Sequence, residues 1–244
     1  MLRWPFAGMS VFCALAVYGQ SDVNQSSQHA IPSINVSPLR VELDSREQNE
    51  QFRVSNDSDS PLNVHIRIFL WSQSAFADQY APTGNILISP SITRIAPRRT
   101  QVFRLIRGSD AAIPGEARYR IIVDQLPDQS AAVPNQSQTR LRFSVPLFVG
   151  RDEAGPANIQ WKITGKQLLI SNSGGQTAKI AGAVLTTAKG EQIAVRAKGS
   201  GYILGQSQIS WDLDRVMACE NGEVKITALV DQKQIDAVPT TACP

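Results

Sequence analysis

Apolar and polar residues alternate with a period of two along most of the chain. In "LNVHIRIFLW", Leu62, Val64, Ile66, Ile68 and Leu70 share one parity. In "RLRFSVPLFVGR" the apolar parity is Leu141, Phe143, Val145, Leu147 and Val149, and the opposite one is Arg140, Arg142, Ser144, Pro146 and Phe148. Side chains on a strand point to alternate faces, so this pattern predicts half-buried β-strands. "INVSPLRVEL" is a strand interrupted by Pro38, which fits an edge or a switch between sheets. "EQFRVSN" alternates and runs into the turn chemistry of "NDSDSP". "ILISPSITRIAPRRTQVFRLIR" predicts two short strands punctuated by Pro90 and Pro97, and "ARYRIIVDQL" is a strand closed by Pro127. About seven strands before residue 150, with no convincing helical period, predict an immunoglobulin-like β-sandwich over residues 34–150. There is no Cys…Trp…Cys pattern in this half, which argues against an antibody-type domain. "RDEAGPAN", residues 151–158, reads as a hinge. Beyond it, "IQWKI", "QLLISN", "AKIAGAVLTT", "YILGQSQISWDL" and "EVKITALV", with turns at Gly174-Gly175, Gly190 and Asn221-Gly222, predict a second, smaller sandwich over 159–244. The expected fold class is all-β, with two immunoglobulin-like sandwiches.

The last strand of the first half raises a question. Pro146 removes a ladder donor, and the polar loop "DQSAAVPNQSQT" precedes the strand. Together they predict a long apolar strand at a sheet edge. Edges of that kind pair with other chains and are normally blunted.

Composition narrows the class. The chain has 244 residues, 42% hydrophobic and 18% charged, which is globular, and its net charge of +3 gives no reason to expect a nucleic-acid partner. Arg3, the apolar run from Met9 to Tyr18, and the small Gly19 form a signal-peptide pattern over residues 1–19. The run is too short to span a bilayer, so no membrane insertion of the mature chain is expected. The position of Cys13 inside the run does not favour a lipoprotein. Residues 20–33 are polar and rich in Ser and Gln, and are expected to be disordered. With Cys13 removed, Cys219 and Cys243 remain, and an even count in an exported chain predicts one disulfide. His29 and His65 stand alone, so neither a metal nor a cofactor is expected. No GxSxG, CxxC, HExxH or P-loop motif occurs, and no enzyme is expected. Sequons at Asn24, Asn35, Asn56 and Asn135 are short patterns that arise readily in such loops.

Between Arg94 and Arg120 there are seven arginines and only two acids, Asp110 and Glu116. Most suit solvated edges. Arg118 and Arg120 differ, because they share a parity opposite the apolar Tyr119, Ile121 and Val123, and Arg40 sits between Leu39 and Val41. An arginine projecting from a strand between two domains is a bidentate receptor for a carboxylate such as a free chain terminus.

Five stretches, "SPLRVELDS", "VSNDSDSPLNVHIRIFLW", "SPSITRIAPRRTQVFRLIR", "EARYRIIVDQLP" and "LRFSVPLFV", in this order resemble the first domain of periplasmic pilus chaperones of the chaperone–usher route. The closer likeness is to the archaic branch, which serves thin fimbriae and spore-coat-U-type subunits. The resemblance covers residues 34–150, whereas the second half is similar only in strand pattern and cysteine pair. It implies two sandwiches in a boomerang arrangement and a subunit-binding cleft between them. It implies fimbrial subunits and an outer-membrane usher as partners. It also implies that the last strand of the first domain, with Leu141, Phe143, Val145 and Leu147, is lent to an incomplete subunit. Val145 and Leu147, deeper toward the hinge, equally suit the domain's own core. The family's cleft arginine falls on Arg40; its partner lysine would fall near Pro146 and is absent, leaving Arg120 as substitute with Arg142 behind it. The competing reading is a secreted two-domain adhesion or glycan-binding module. Such a module needs clustered exposed aromatics, and Trp71, Trp161 and Trp211 are dispersed in strand-like runs.

Overall fold

The computed structural model describes residues 34–108, 115–127, 140–216 and 223–242. The described chain is built of strands. The first sandwich contains β1 (Ile34–Ser37), β2 (Val41–Leu43), β3 (Asn49–Asn56), β4 (Leu62–Ser74), β5 (Ala77–Pro82), β6 (Ile86–Ser89), β7 (Ile92–Ile95), β8 (Thr100–Arg107), β9 (Ala117–Gln125) and β10 (Arg142–Val149). One sheet has the order β1-β3-β8-β6; the facing sheet has the order β2-β10-β9-β4-β5, with β7 also on β4. Pro38 lies where the chain changes sheets: β1 pairs with β3, whereas β2 pairs with β10.

The region of residues 86–107 forms three strands where the sequence reading expects two. Pro90 separates "ILIS" from "ITRI", and the two go to different sheets, β6 onto β8 and β7 onto β4. β5 is a further strand without a sequence signal, because it is exposed nearly throughout and carries no alternation. The core between the sheets takes alternate side chains from both, among them Val54, Phe52 and Phe103, Val64, Ile66, Tyr119 and Ile121. The Phe52 and Phe103 rings pack with centroids 6.0 Å apart.

In β4 the parity reverses along the strand. Leu62, Val64 and Ile66 are buried, but further on Leu70 is exposed and Trp71 is buried. β4 outruns the sandwich there, and its opposite face is covered by the second domain. Asn56, one of the sequons, is a buried tie: its Nδ2 donates to the carbonyls of Ser60, Ile95 and Ala96.

A 3-10 turn at Arg151–Glu153 leads into the second domain. There β11 (Ile159–Thr164), β12 (Gln167–Asn172), β13 (Ala178–Thr186), β14 (Gln192–Arg196), β15 (Tyr202–Ile203), β16 (Ser207–Leu213), β17 (Lys225–Val230), β18 (Lys233–Ala237) and β19 (Thr240–Ala242) follow the order β18-β17-β13-β14-β16-β12-β11-β19, with β15 on β13. β14 pairs with β13 through residues 192–194 and with β16 through 195–196, so it carries the chain between layers. The layers enclose Ile163, Leu168, Ile180, Leu185, Trp211 and Ile226. Cys219, Cys243, the signal-peptide pattern and the polar segment 20–33 lie outside the described residues. Among the described residues no helix is long and apolar enough to cross a membrane.

Candidate functional site

Two features of the first domain meet at its last strand. β10 runs antiparallel to β9 over its whole length, but β2 covers its other side only at Leu147, Phe148 and Val149. Among the described residues, 142–146 therefore have a sheet neighbour on one side and an open backbone edge on the other. Leu141 lies just before the strand, half-buried, and is held by two bonds to Gln125: Gln125 N–H donates to the Leu141 carbonyl at 3.0 Å, and Leu141 N–H donates to Gln125 Oε1 at 3.2 Å. Phe143 is half-buried against the core. Val145 and Leu147 are 2% and 0% exposed and belong to the domain's own core. Of the four donor-strand candidates, only Leu141 and Phe143 thus retain exposed apolar surface beside the open edge. At the same end Arg142 Nε donates to Asp124 at 2.5 Å, and Arg67 Nη2 donates to that carboxylate at 2.6 Å. Burial pushes the Asp124 carboxyl up, but the bonds from Arg67 and Arg142 outweigh it and hold the group below its usual value.

The covered half of β10 faces the second domain. Phe148, on the parity read as outward, is fully buried in an interdomain cluster with Trp71, Leu204 and Tyr202. Ring centroids are 6.2 Å apart for Trp71–Phe148, 5.5 Å for Trp71–Tyr202 and 6.1 Å for Phe148–Tyr202. Two sequence signals point to this cluster: the buried parity of β4 breaks at Trp71, and a phenylalanine stands on the polar parity of β10.

Arg120 lies behind the aromatics and is 3% exposed. Its guanidinium carbon is 3.8 Å from the Trp71 ring centroid and 5.1 Å from that of Tyr202, and its Nη2 donates to Ser200 Oγ at 2.9 Å. Its buried Nε finds no partner among the described residues. Burial lowers its pKa, against the opposing influence of Tyr80 and Asp78. Arg40 stands at the crossing between β1 and β2. It lies 4.9 Å over the Phe148 ring, is paired closely with Glu42, and reaches Asp231 of the second domain at 4.0 Å. Arg40 opens into a cavity of about 490 Å³ whose walls also include Arg151, Lys179, Tyr202 and Asp231, with apolar surface from Leu39 and Leu229.

The two domains are held together beside this cavity. Glu116, fully buried, accepts hydrogen bonds from Arg118 Nε at 3.0 Å, Arg151 Nη1 at 2.5 Å, Thr177 N–H at 2.8 Å and the Thr177 hydroxyl. Arg118 Nη2 continues to the Gly175 carbonyl at 2.6 Å. On the other flank Gln73 clasps the second domain, donating to the Tyr202 carbonyl at 2.8 Å and accepting from Leu204 N–H at 3.0 Å. Glu116, Arg118 and Arg151 are thus structural partners across the interface. The sequence shows Glu116 only as one of two acids among many arginines.

A half-open edge strand and a basic cavity between two sandwiches can bind an extended chain and a carboxylate. Known proteins share this architecture. Residues 33–153 match the family of pili and flagellar-assembly chaperones, PapD N-terminal domain. No curated protein matches the chain. Among solved structures, a chain of the CsuC–CsuE chaperone–tip adhesion subunit pre-assembly complex from archaic Csu pili of Acinetobacter baumannii is 20% identical, with a TM-score of 0.66, covering 86% of this chain and 99% of that one. The E. coli chaperone DraB is 20% identical over 86% of this chain and 97% of its own, with a TM-score of 0.62. The Pseudomonas aeruginosa CupB2 chaperone is 19% identical over 84% and 100%, with a TM-score of 0.56. The first sandwich therefore belongs to the family of pili and flagellar-assembly chaperones, as a PapD N-terminal domain.

Proposed function

We propose that this protein is a periplasmic chaperone that holds fimbrial subunits by donor-strand complementation and delivers them to an outer-membrane usher. The observation that carries the reading is the free edge of β10 at residues 142–146, next to an interdomain basic cavity. A subunit lacking one strand exposes an apolar groove and a row of unpaired backbone groups. The open edge of β10 supplies the backbone partners, and Leu141 and Phe143 supply side chains at the two-residue spacing the groove requires. Burying each contributes roughly 1.5–3 kcal/mol before the cost of ordering. The subunit's terminal carboxylate is anchored by Arg40 at the cavity, with Arg120 backing it through the Tyr202 ring and Ser200. Archaic fimbriae are the class of assembly served.

The adhesion-module reading loses the tryptophans as its platform, because Trp71, Trp161 and Trp211 are all buried. The test is co-expression of the chain with a fimbrial subunit, followed by co-purification from the periplasm. Capture by the parent, lost on Leu141→Asp at an unchanged melting temperature, supports the reading. A soluble subunit that never co-purifies contradicts it.

A further inference from the structure

The cavity beside Arg40 has a second wall, contributed by the second domain. Lys179 at the start of β13 and Asp231 just past β17 are tied as a pair: Asp231 N–H donates to the Lys179 carbonyl at 2.8 Å, and Lys179 N–H donates to Asp231 Oδ1 at 3.1 Å. Asp231 and Gln232 form the two-residue turn between β17 and β18, with φ of 45° and 67°. Glutamine has no special tolerance for that left-handed region, so the turn is held there at some cost. The turn carries the Asp231 carboxylate to within 4.0 Å of Arg40 Nη1.

Lys179 itself has no carboxylate partner among the described residues. Its Nζ sits 4.3 Å from the Tyr202 ring centroid and gives one of its three donors to the Ser200 carbonyl at 2.7 Å. Arg40 lies over Phe148, and Phe148 packs on Tyr202. The two cations therefore stand on one aromatic floor and line one cavity, whose third cation, Arg151, is held by Glu116. Burial lowers the Lys179 pKa, and the Arg120 charge lowers it further, so an incoming anion relieves an uncompensated ammonium. Arg120, by contrast, is enclosed behind Tyr202, and position 146, opposite Arg120 in β10, is a buried proline.

We propose that Lys179 is the second cation of the carboxylate receptor, facing Arg40 across the cavity, and that Asp231 is the resident carboxylate a subunit's chain terminus displaces from Arg40. The receptor is then shared between the two domains. This rests on the reading of the cavity as the seat of a subunit's terminal carboxylate. With Glu42 still paired to Nη2, Arg40 exchanges its 4.0 Å contact with Asp231 for a closer one to the bound carboxylate, and the ammonium of Lys179 gains the partner it lacks.

The test uses the mature full-length protein and one synthetic peptide of alternating apolar and polar residues, made as the free acid and as the C-terminal amide. Affinities are measured by calorimetry, and the Lys179 side-chain nitrogen is followed by NMR. The parent is expected to prefer the acid, and the acid alone to shift the Lys179 resonance. Lys179→Gln is expected to cut the acid-over-amide preference about tenfold or more, and Lys179→Arg to restore much of it. Asp231→Asn is expected to tighten the acid severalfold and leave the amide unchanged. If Lys179→Gln keeps the parent's preference, or the acid leaves the Lys179 resonance unmoved, the role of Lys179 is wrong while the receptor stands. An unchanged or weaker affinity of Asp231→Asn for the acid removes the displaced-carboxylate role. A parent that does not prefer the acid overturns the receptor reading and this inference with it.

Discussion

Arg40 has two kinds of neighbour, and they bear differently on stability and on binding. Its ion pair with Glu42 is partly exposed, and pairs of that kind contribute about 0–1 kcal/mol. A close contact to a bound carboxylate is worth more, because its loss leaves a desolvated anion unpaired, at about 2–5 kcal/mol. Arg40→Ala should therefore lower subunit affinity strongly while the melting temperature stays near the parent's. A melting temperature that falls with the affinity would make Arg40 structural. Arg120→Ala should differ. It removes a buried guanidinium stacked on Trp71 and frees Ser200, so thermal unfolding should report destabilisation alongside weaker binding. At this scale the sequence is only partly legible. Arg40 shows itself as a charge between Leu39 and Val41, and Arg120 by its parity in "ARYRIIVDQL". Lys179 gives no sign in "AKIAGAV", because what qualifies it is a cavity closed by the β1–β2 crossing of the other domain.

β10 shows how one strand divides its work along its length. Its first half keeps a free edge, and its second half is sealed by β2 and by the second domain. Substitutions should sort the same way. Leu147→Asp places a charge at a fully buried site and should prevent folding or lower stability by several kcal/mol, read by chemical denaturation. Leu141→Asp, half-exposed and outside the strand, should leave the denaturation midpoint near the parent's and abolish subunit capture. A midpoint equally low for both would place Leu141 in the domain's core. The alternation and Pro146 make the strand and its edge readable from sequence. The seal is not readable, because β2 comes from more than a hundred residues upstream and pairs in parallel. Phe148 is hidden for a related reason: alternation identifies the face toward the domain's own core, but not a second apolar surface that covers the other face. β5 is invisible in the sequence because an exposed strand needs no apolar period.

At the scale of the whole molecule, the arrangement of the site depends on the joint between domains. Glu116 binds Arg118 and Arg151 from the first domain and the turn after β10, and Thr177 from the second. Glu116→Ala leaves two arginines and a backbone N–H without their acceptor, and a broken buried pair costs about 3–5 kcal/mol. The unfolding free energy of that variant should fall by this order, and subunit affinity should fall with it because the cavity is built across the joint. Two sandwiches are legible in strand periodicity and turn chemistry, but the joint between them is not, since its partners are single polar residues far apart in sequence. The expected Cys219–Cys243 bridge belongs to this scale too: thiol labelling of the denatured, unreduced mature protein should find neither cysteine free, and stoichiometric labelling would refute the bridge. The central claim, that β10 lends its edge to a subunit, is tested most directly by hydrogen–deuterium exchange over residues 140–147, in the free protein and in complex with a co-expressed fimbrial subunit. The account predicts that backbone amides in residues 142–146 facing the free edge exchange readily when the protein is alone and become protected in the complex. Equal exchange in both states, with protection appearing elsewhere, would contradict it.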